Sequence, residues 1–452
     1  MTSGPGRIVI VGASLAGLRA AEHLRAGGFG GALTLVGDEP HGPYDRPPLS
    51  KQVLLGMVRP EGTALPRTRE IDAEWRLGVA AAGLDRERRR VQLADGSEVE
   101  YDRLLIATGV RSRPWPNESE AALDGVCVLR TRDDAAHLGR LLARRPNRVL
   151  IIGAGFTGSE IASACRERGC AVTVAERGEA PLVGALGGMV GEVAARLQRE
   201  HGVDLRCGVM VTSLEGDSAG RLRRAHLSDG SALDAEVAVV ALGAVRNTGW
   251  LEGSGLAAGP RGVACDAGCR AFDVHGIVTD DVFAAGDVAR TPHPLFGYQF
   301  LSLEHWGNAV AQAEIAAHNM ISADARRRPH LWTPSFWSAQ FGVNIKSVGA
   351  PSMGEEIVVT QGSLADHRFA AAYGYRGRVI AAVGFDHGKW MGGYRRLIEQ
   401  AAPFPPDLPG GNGQRPGPAR FPDPALPSHG PTVTLTGHSP NEKRVVFTPS
   451  RA

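Results

Sequence analysis

A chain of 452 residues that is 43% apolar and 22% charged is long enough for several buried cores, which excludes fibrous, collagen-like and wholly disordered classes. A formal net charge of +2 from 50 basic and 48 acidic residues argues against general nucleic-acid binding, although Arg88 to Arg90 and Arg326 to Arg328 stand out as local runs. The apolar run at 8–11 begins too early for a secretion signal, and no stretch approaches a membrane span. The six cysteines (Cys127, Cys165, Cys170, Cys207, Cys265, Cys269) are too scattered for a disulfide framework, so the protein is expected in the cytoplasm, with its thiols buried.

In chain order, residues 7–11 read as a buried parallel strand, followed by Gly12, Ser14 and Gly17, a helical stretch to about Arg25, and a strand at 32–36 leading to Asp38 and Glu39. The same order recurs at 148–152, with Gly153, Gly155 and Gly158, a helix to about Arg168, and a strand at 171–175 leading to Glu176. Three further apolar strands end abruptly in glycine: 104–108 before Gly109, 237–242 before Gly243, and 282–285 before Gly286 and Asp287. Strands that stop this way bring backbone close to a ligand at the carboxyl edge of a sheet. From about Pro329 the pattern alternates, as in 369–375 and 378–385, and a helix follows at 394–401, which predicts a small α+β domain. The last 50 residues hold 12 of the 29 prolines and read as an extended or disordered tail, with 433–436 and 444–447 a minor hairpin alternative.

The glycines of such a βαβ unit serve a tight turn, close approach of a pyrophosphate and helix-to-strand packing, while the helix N-terminus presents free N–H groups to the phosphates. Two units at correct spacing predict two bound dinucleotides, the first held by Gly12, Ser14, Leu15 and Ala16, the second by Gly153, Gly155, Phe156, Thr157 and Gly158. Asp38 and Glu39 lie 21 and 22 residues past Gly17, and Glu176 lies 18 past Gly158, where an acid accepts from a ribose hydroxyl. A carboxylate about 4 Å from a 2′-phosphate costs up to a few kcal/mol per charge pair at an effective dielectric near 20, so Glu176 favours NADH over NADPH, with Arg177 softening the contrast.

Lysine is scarce: four, at Lys51, Lys346, Lys389 and Lys443, against 46 arginines. A GC-rich genome explains the bias in general. A lysine that persists under it is suspected of needing an ammonium rather than a guanidinium, and Lys51 is the only one in the first 345 residues.

The motif Tyr44-Asp45-Arg46-Pro47-Pro48-Leu49-Ser50-Lys51, the strand end Ala107-Thr108-Gly109, the run Phe283-Ala284-Ala285-Gly286-Asp287 and the run Glu304-His305-Trp306-Gly307-Asn308 together resemble the FAD-dependent ferredoxin reductases of bacterial oxygenase systems, relatives of putidaredoxin and rubredoxin reductases. The resemblance spans about Arg7 to Phe404. It implies two Rossmann-type domains and a small α+β domain: FAD-binding at 1–115 and 246–328, NAD-binding at 116–245, the α+β domain at 329–402, and a tail at 403–452.

The resemblance further implies that Asp287 bonds the FAD ribityl chain, that Arg46 lies beside the flavin phosphates or adenine, and that Glu304, His305 and Trp306 line the flavin. Ala81, Thr108, Gly109, Gly243 and Gly286 complete the implied cofactor contacts. Lys51 is expected to reach toward flavin N5 and to pair with Glu160, a sensible arrangement because an ammonium stabilises anionic reduced flavin and a carboxylate keeps it charged. No cysteine precedes Cys127, which sets the chain apart from thiol-dependent disulfide reductases and peroxidases. Cys265 and Cys269 fall far short of an iron–sulfur ligand set and no metal site is expected, so a ferredoxin partner must carry the cluster. The chain is expected to act as a monomer or homodimer. Two alternatives stay open: an NADH oxidase or quinone reductase, and a redox sensor resembling apoptosis-inducing factor.

Overall fold

The structure, a computed structural model, describes residues 5–408, 415–422, 432–439 and 442–448. The first repeat folds as strand β1 (Arg7–Val11), helix α1 (Leu15–Ala26) and strand β2 (Ala32–Gly37). The second folds as β3 (Val149–Ile152), α2 (Phe156–Glu167) and β4 (Val172–Glu176). In each unit the two strands pair in parallel as direct neighbours, joined through the helix between them. Both central strands are apolar at nearly every position because both faces of their sheets are covered.

The first sheet has six strands in the order Arg270–Phe272, Val278–Ala284, Arg103–Ile106, β1, β2 and Glu74–Leu77. The second has five, in the order Asp204–Cys207, β4, β3, Val237–Val240 and Val126–Cys127. The repeat extends to the atomic crowding at its glycines. A Cβ on Gly12 (φ +121°) would lie 2.1 Å from the carbonyl oxygen of Ala107, and one on Gly17 would lie 2.0 Å from that of Gly12. On Gly153 (φ +102°) and Gly158 the corresponding distances are 2.6 Å to Ala241 and 2.0 Å to Gly153. Only glycine fits these four places.

Helix α3 (Val183–Glu200) follows β4, and helix α4 (Trp306–Ile321) returns to pack on α1. A third, antiparallel sheet begins with β5 (Ser335–Gln340) and continues through Val343–Gly349, Arg378–Phe385, Arg368–Tyr375 and Glu356–Ser363, with the helix Met391–Glu399 against it. That helix begins and ends slightly before the expected 394–401. No described helix is long and apolar enough to cross a membrane.

The tail departs from the expectation of a free extended segment. Gly417–Pro418 adds a sixth strand to the third sheet beside Glu356 and Ile357, and the carbonyls of Ala419 and Arg420 both accept from the Gly188 N–H. Helix α3 is kinked there by Gly187 (φ +77°), where a Cβ would lie 2.3 Å from the Ala419 oxygen. Ala419 itself is buried. Further on, Thr432–Ser439 and Glu442–Thr448 do pair as an antiparallel hairpin, so the minor alternative was the right one for that stretch.

Four of the six arginines in the two runs are met by carboxylates: Arg88 faces Asp85, Arg89 faces Asp281, Arg90 faces Glu98 and Glu100, and Arg327 faces Asp280 and Asp324. All six cysteines are free thiols, four of them buried. Cys127 and Cys207 differ from the expectation in being only partly covered.

Candidate active site

The carboxyl ends of β1 and Arg103–Ile106 open onto a cleft of about 470 Å³, which leads into a second hollow of about 280 Å³ sharing Ser14, Asp38, Glu39, Arg46 and Thr108 in its walls. Together they are in the size range of ligand sites. The N-terminus of α1 faces this space through Ser14, Leu15 and Ala16, and Gly12 lines the inner hollow. Ser14 and Gly155, which cap α1 and α2, make no side-chain capping bond, so the first-turn N–H groups stay free for an anion. By contrast the start of the helix Arg132–Ala143, whose Thr131 and Asp134 also line the cleft, is closed by a Thr131–Asp134 capping box.

Thr108, Gly109, Gly286 and Asp287 line the outer cleft from two adjacent strand ends, and Glu304, His305 and Trp306 line it from the start of α4. Ala81 lines the inner hollow. The Trp306 indole N–H donates to Asp45 Oδ1 at 2.9 Å, and burial pushes that carboxyl above its usual range. The Nδ1 of His305 is buried without a partner, and burial lowers its pKa to about 4, leaving a neutral ring. An orphaned ring nitrogen, the uncapped start of α1 and a glycine at Gly12 that admits no Cβ make a cradle that FAD fits.

Two acidic groups and one basic group are less free than expected. Arg46 does line the cleft, but its guanidinium is held by Glu39 at 2.6 Å, the Tyr44 hydroxyl at 3.0 Å and the Arg130 carbonyl at 2.9 Å. Asp287 faces Arg130 at 3.0 Å. Burial raises the Tyr44 phenol well above its usual range, so it remains a donor, to Glu39.

On the second unit Glu176 accepts from the backbone N–H groups of Ala154 and Gly178, each at 2.6 Å, which holds its carboxylate at the end of β4. Phe156 stacks edge-on against Phe336 with ring centres 4.7 Å apart, and Thr157 lines the cleft. Gly243 lies beyond the strand Val237–Val240 at φ +83° and accepts from the Arg113 N–H; it does not line the cleft.

The two units meet at Lys51 and Glu160. Lys51 Nζ lies 2.6 Å from Glu160 Oε2, and both side chains are largely buried in the cleft wall. Ser50 donates to the same oxygen at 2.5 Å, and Ser338 donates to Oε1 at 2.6 Å. A turn of 3-10 helix at Pro47–Ser50, its two prolines stiffening the approach, delivers Ser50 and Lys51. Residues that the sequence did not single out as site members include Ser50, Arg130, Phe336, Trp337 and Ser338. Ser50 stood inside a recognised motif. Arg130 and Ser338 carried no local signal, because a loop and a strand distant in sequence bring them in. No cysteine lines the cleft.

A family model described as pyridine nucleotide-disulphide oxidoreductase matches residues 6–313, and one described as reductase C-terminal matches residues 335–409. The ferredoxin–NAD(+) reductase component of the anthranilate 1,2-dioxygenase system of Burkholderia cepacia is 35% identical over 410 residues, covering 88% of this chain and 96% of the relative. Human apoptosis-inducing factor 3 is 32% identical, over 84% of this chain and 61% of its own. Among solved structures, the covalent putidaredoxin reductase–putidaredoxin complex gives a TM-score of 0.81 at 30% identity, over 89% of this chain and 94% of that one.

Proposed function

The chain belongs to the pyridine nucleotide-disulphide oxidoreductase family, and from that premise we propose that it is an NADH-dependent reductase that carries electrons through FAD to a ferredoxin serving a monooxygenase or dioxygenase. The observation that carries this reading is the Lys51–Glu160 pair, 2.6 Å apart where the two dinucleotide units meet, in a cleft wall without a thiol. In balance, NADH and two oxidised ferredoxins give NAD+, a proton and two reduced ferredoxins. When bound, FAD supplies acceptance of a hydride and release of its electrons one at a time.

The chain's own residues then have separable tasks. Gly12, Ser14, Leu15 and Ala16 admit the pyrophosphate to the start of α1, with Asp38 and Glu39 toward the ribose and Asp287 toward the ribityl chain. Gly153, Gly155, Phe156, Thr157 and Gly158 receive the nicotinamide dinucleotide, and Glu176, held by two backbone N–H groups, favours a free ribose 2′-hydroxyl over a phosphate. Lys51 would present its ammonium to the reacting edge of the flavin, and Glu160 holds that ammonium in place through the 2.6 Å ion pair. The partner meets the mouth of the cleft, where Trp337 is half exposed and its ring centre lies 6.4 Å from that of Trp306. The reaction takes place in the cytoplasm, where ferredoxin-dependent oxygenases are supplied.

Lys51→Met should slow flavin reduction by NADH in stopped-flow by about tenfold or more, the effect of removing one charge-assisted contact to the reacting centre. An unchanged rate would falsify the assignment. The similarity to apoptosis-inducing factor 3 supports a second reading, a redox sensor; slow turnover with every acceptor, together with NADH-dependent association, would favour it.

A further inference from the structure

The carboxylate of Glu160 receives three donors from two separate parts of the chain. Oε2 accepts from Ser50 and Lys51 of the first unit, while Oε1 accepts from Ser338 of the C-terminal sheet. Ser338 is 1% exposed and Glu160 7%, so water has little room to replace either partner. Gln340 Nε2 donates to the Ser338 oxygen at 3.2 Å, which occupies an acceptor site of that hydroxyl and leaves its proton for Glu160. Strand alternation explains the placement: on β5, Trp337 turns outward, and Ser338 and Gln340 turn to the buried side.

We propose that Ser338 is a positioning residue for hydride transfer, which orients the Glu160 carboxylate toward Lys51 and so makes the C-terminal sheet part of the reacting site. The proposal rests on the role assigned to the Lys51–Glu160 pair. Among the described residues Glu160 is the only carboxylate within ion-pair distance of Lys51, whose other contacts are the Pro47 carbonyl at 3.1 Å and the Ser50 hydroxyl at 3.4 Å. If the Ser338 hydroxyl is removed, Oε1 is left buried with no donor, a costly state that the carboxylate relieves by turning. Because both oxygens share one plane, turning Oε1 toward a new donor carries Oε2 away from Lys51. Ser338 touches neither hydride donor nor acceptor in this scheme; it acts through Glu160.

The test is a double-mutant cycle in the full chain. Ser338→Ala should slow flavin reduction by NADH about tenfold, whereas Ser338→Thr, which keeps the hydroxyl, should retain most of the rate. On a Glu160→Gln background, Ser338→Ala should add no further loss, since the group it positions is already gone. The same cycle in urea unfolding supplies a reading independent of turnover: the shifts in midpoint should be non-additive if the two side chains share one interaction. Normal rates in Ser338→Ala, or additive losses in both measurements, would overturn the inference and leave Ser338 a packing residue. A different result, normal rates in Lys51→Met and Glu160→Gln themselves, would overturn the reading of the pair on which it rests.

Discussion

Glu176, which we propose recognises the ribose of the nicotinamide dinucleotide, has little freedom to move. With both carboxylate oxygens receiving backbone N–H groups at 2.6 Å, the side chain cannot swing away from an incoming 2′-phosphate without leaving two buried donors unpaired. Glu176→Ala should therefore raise the ratio of kcat/KM for NADPH to that for NADH by about tenfold, measured in parallel initial-rate series. Histidines set a second residue-scale property. His330 is buried with no partner on either ring nitrogen, and His305 lacks one on Nδ1; burial holds both rings near a pKa of about 4. Burial also lowers the pKa of His293, whose ring centre is 6.2 Å from that of His330. Between about pH 6.5 and pH 4 the unfolded chain binds protons that these rings refuse, so stability rises with pH across that window and is lost as pH falls through it. Urea midpoints at pH 7 and pH 5 should differ accordingly, and His330→Phe should narrow the difference; an unaltered difference would exclude His330 as a source.

Helices and strands were legible where their pattern was local. The two βαβ units follow from apolar runs of four or five residues ending in glycine, because a strand covered on both faces must be apolar throughout and a phosphate-binding turn tolerates no Cβ. Their bounds came within a residue or two. The strap at 415–422 was not legible. Its composition is that of a loose tail, and it is ordered by partners more than 60 residues away: the edge of the third sheet at Glu355 to Ile357 and the glycine kink of α3. The carbonyl of Ala419 needs the space above Gly187, so Gly187→Val should expel the strap and cost roughly 1–3 kcal/mol. Thermal unfolding checks this, and truncation after Leu408 should remove the part of the loss that comes from the strap, leaving only the cost of a β-branched residue at φ +77°.

At the scale of the whole molecule, balanced charge hides an uneven surface. Arg88, Arg89, Arg90 and Arg327 of the arginine runs are paired with neighbouring carboxylates, whereas Lys346 sits opposite the exposed Trp337, which lines the cleft, in the register of β5. If an acidic ferredoxin is steered to this mouth, its reduction rate should fall steeply with added NaCl while reduction of a small neutral acceptor stays nearly constant. Lys346→Glu should weaken the salt dependence and raise KM for the ferredoxin without changing flavin reduction by NADH. Equal salt dependence for both acceptors would exclude electrostatic steering.

By itself the sequence determined two dinucleotide-binding units, the first without a thiol, because glycine spacing and the absence of cysteine before Cys127 are properties of short stretches. The resemblance in its motifs then pointed to Lys51 and Glu160 as a pair. Only the tertiary structure decided what holds that pair. Ser50, Lys51, Glu160 and Ser338 come from a loop, a helix and a strand separated by up to 288 residues, and a hydrogen bond of 2.6 Å between them depends on how three sheets pack rather than on any local pattern.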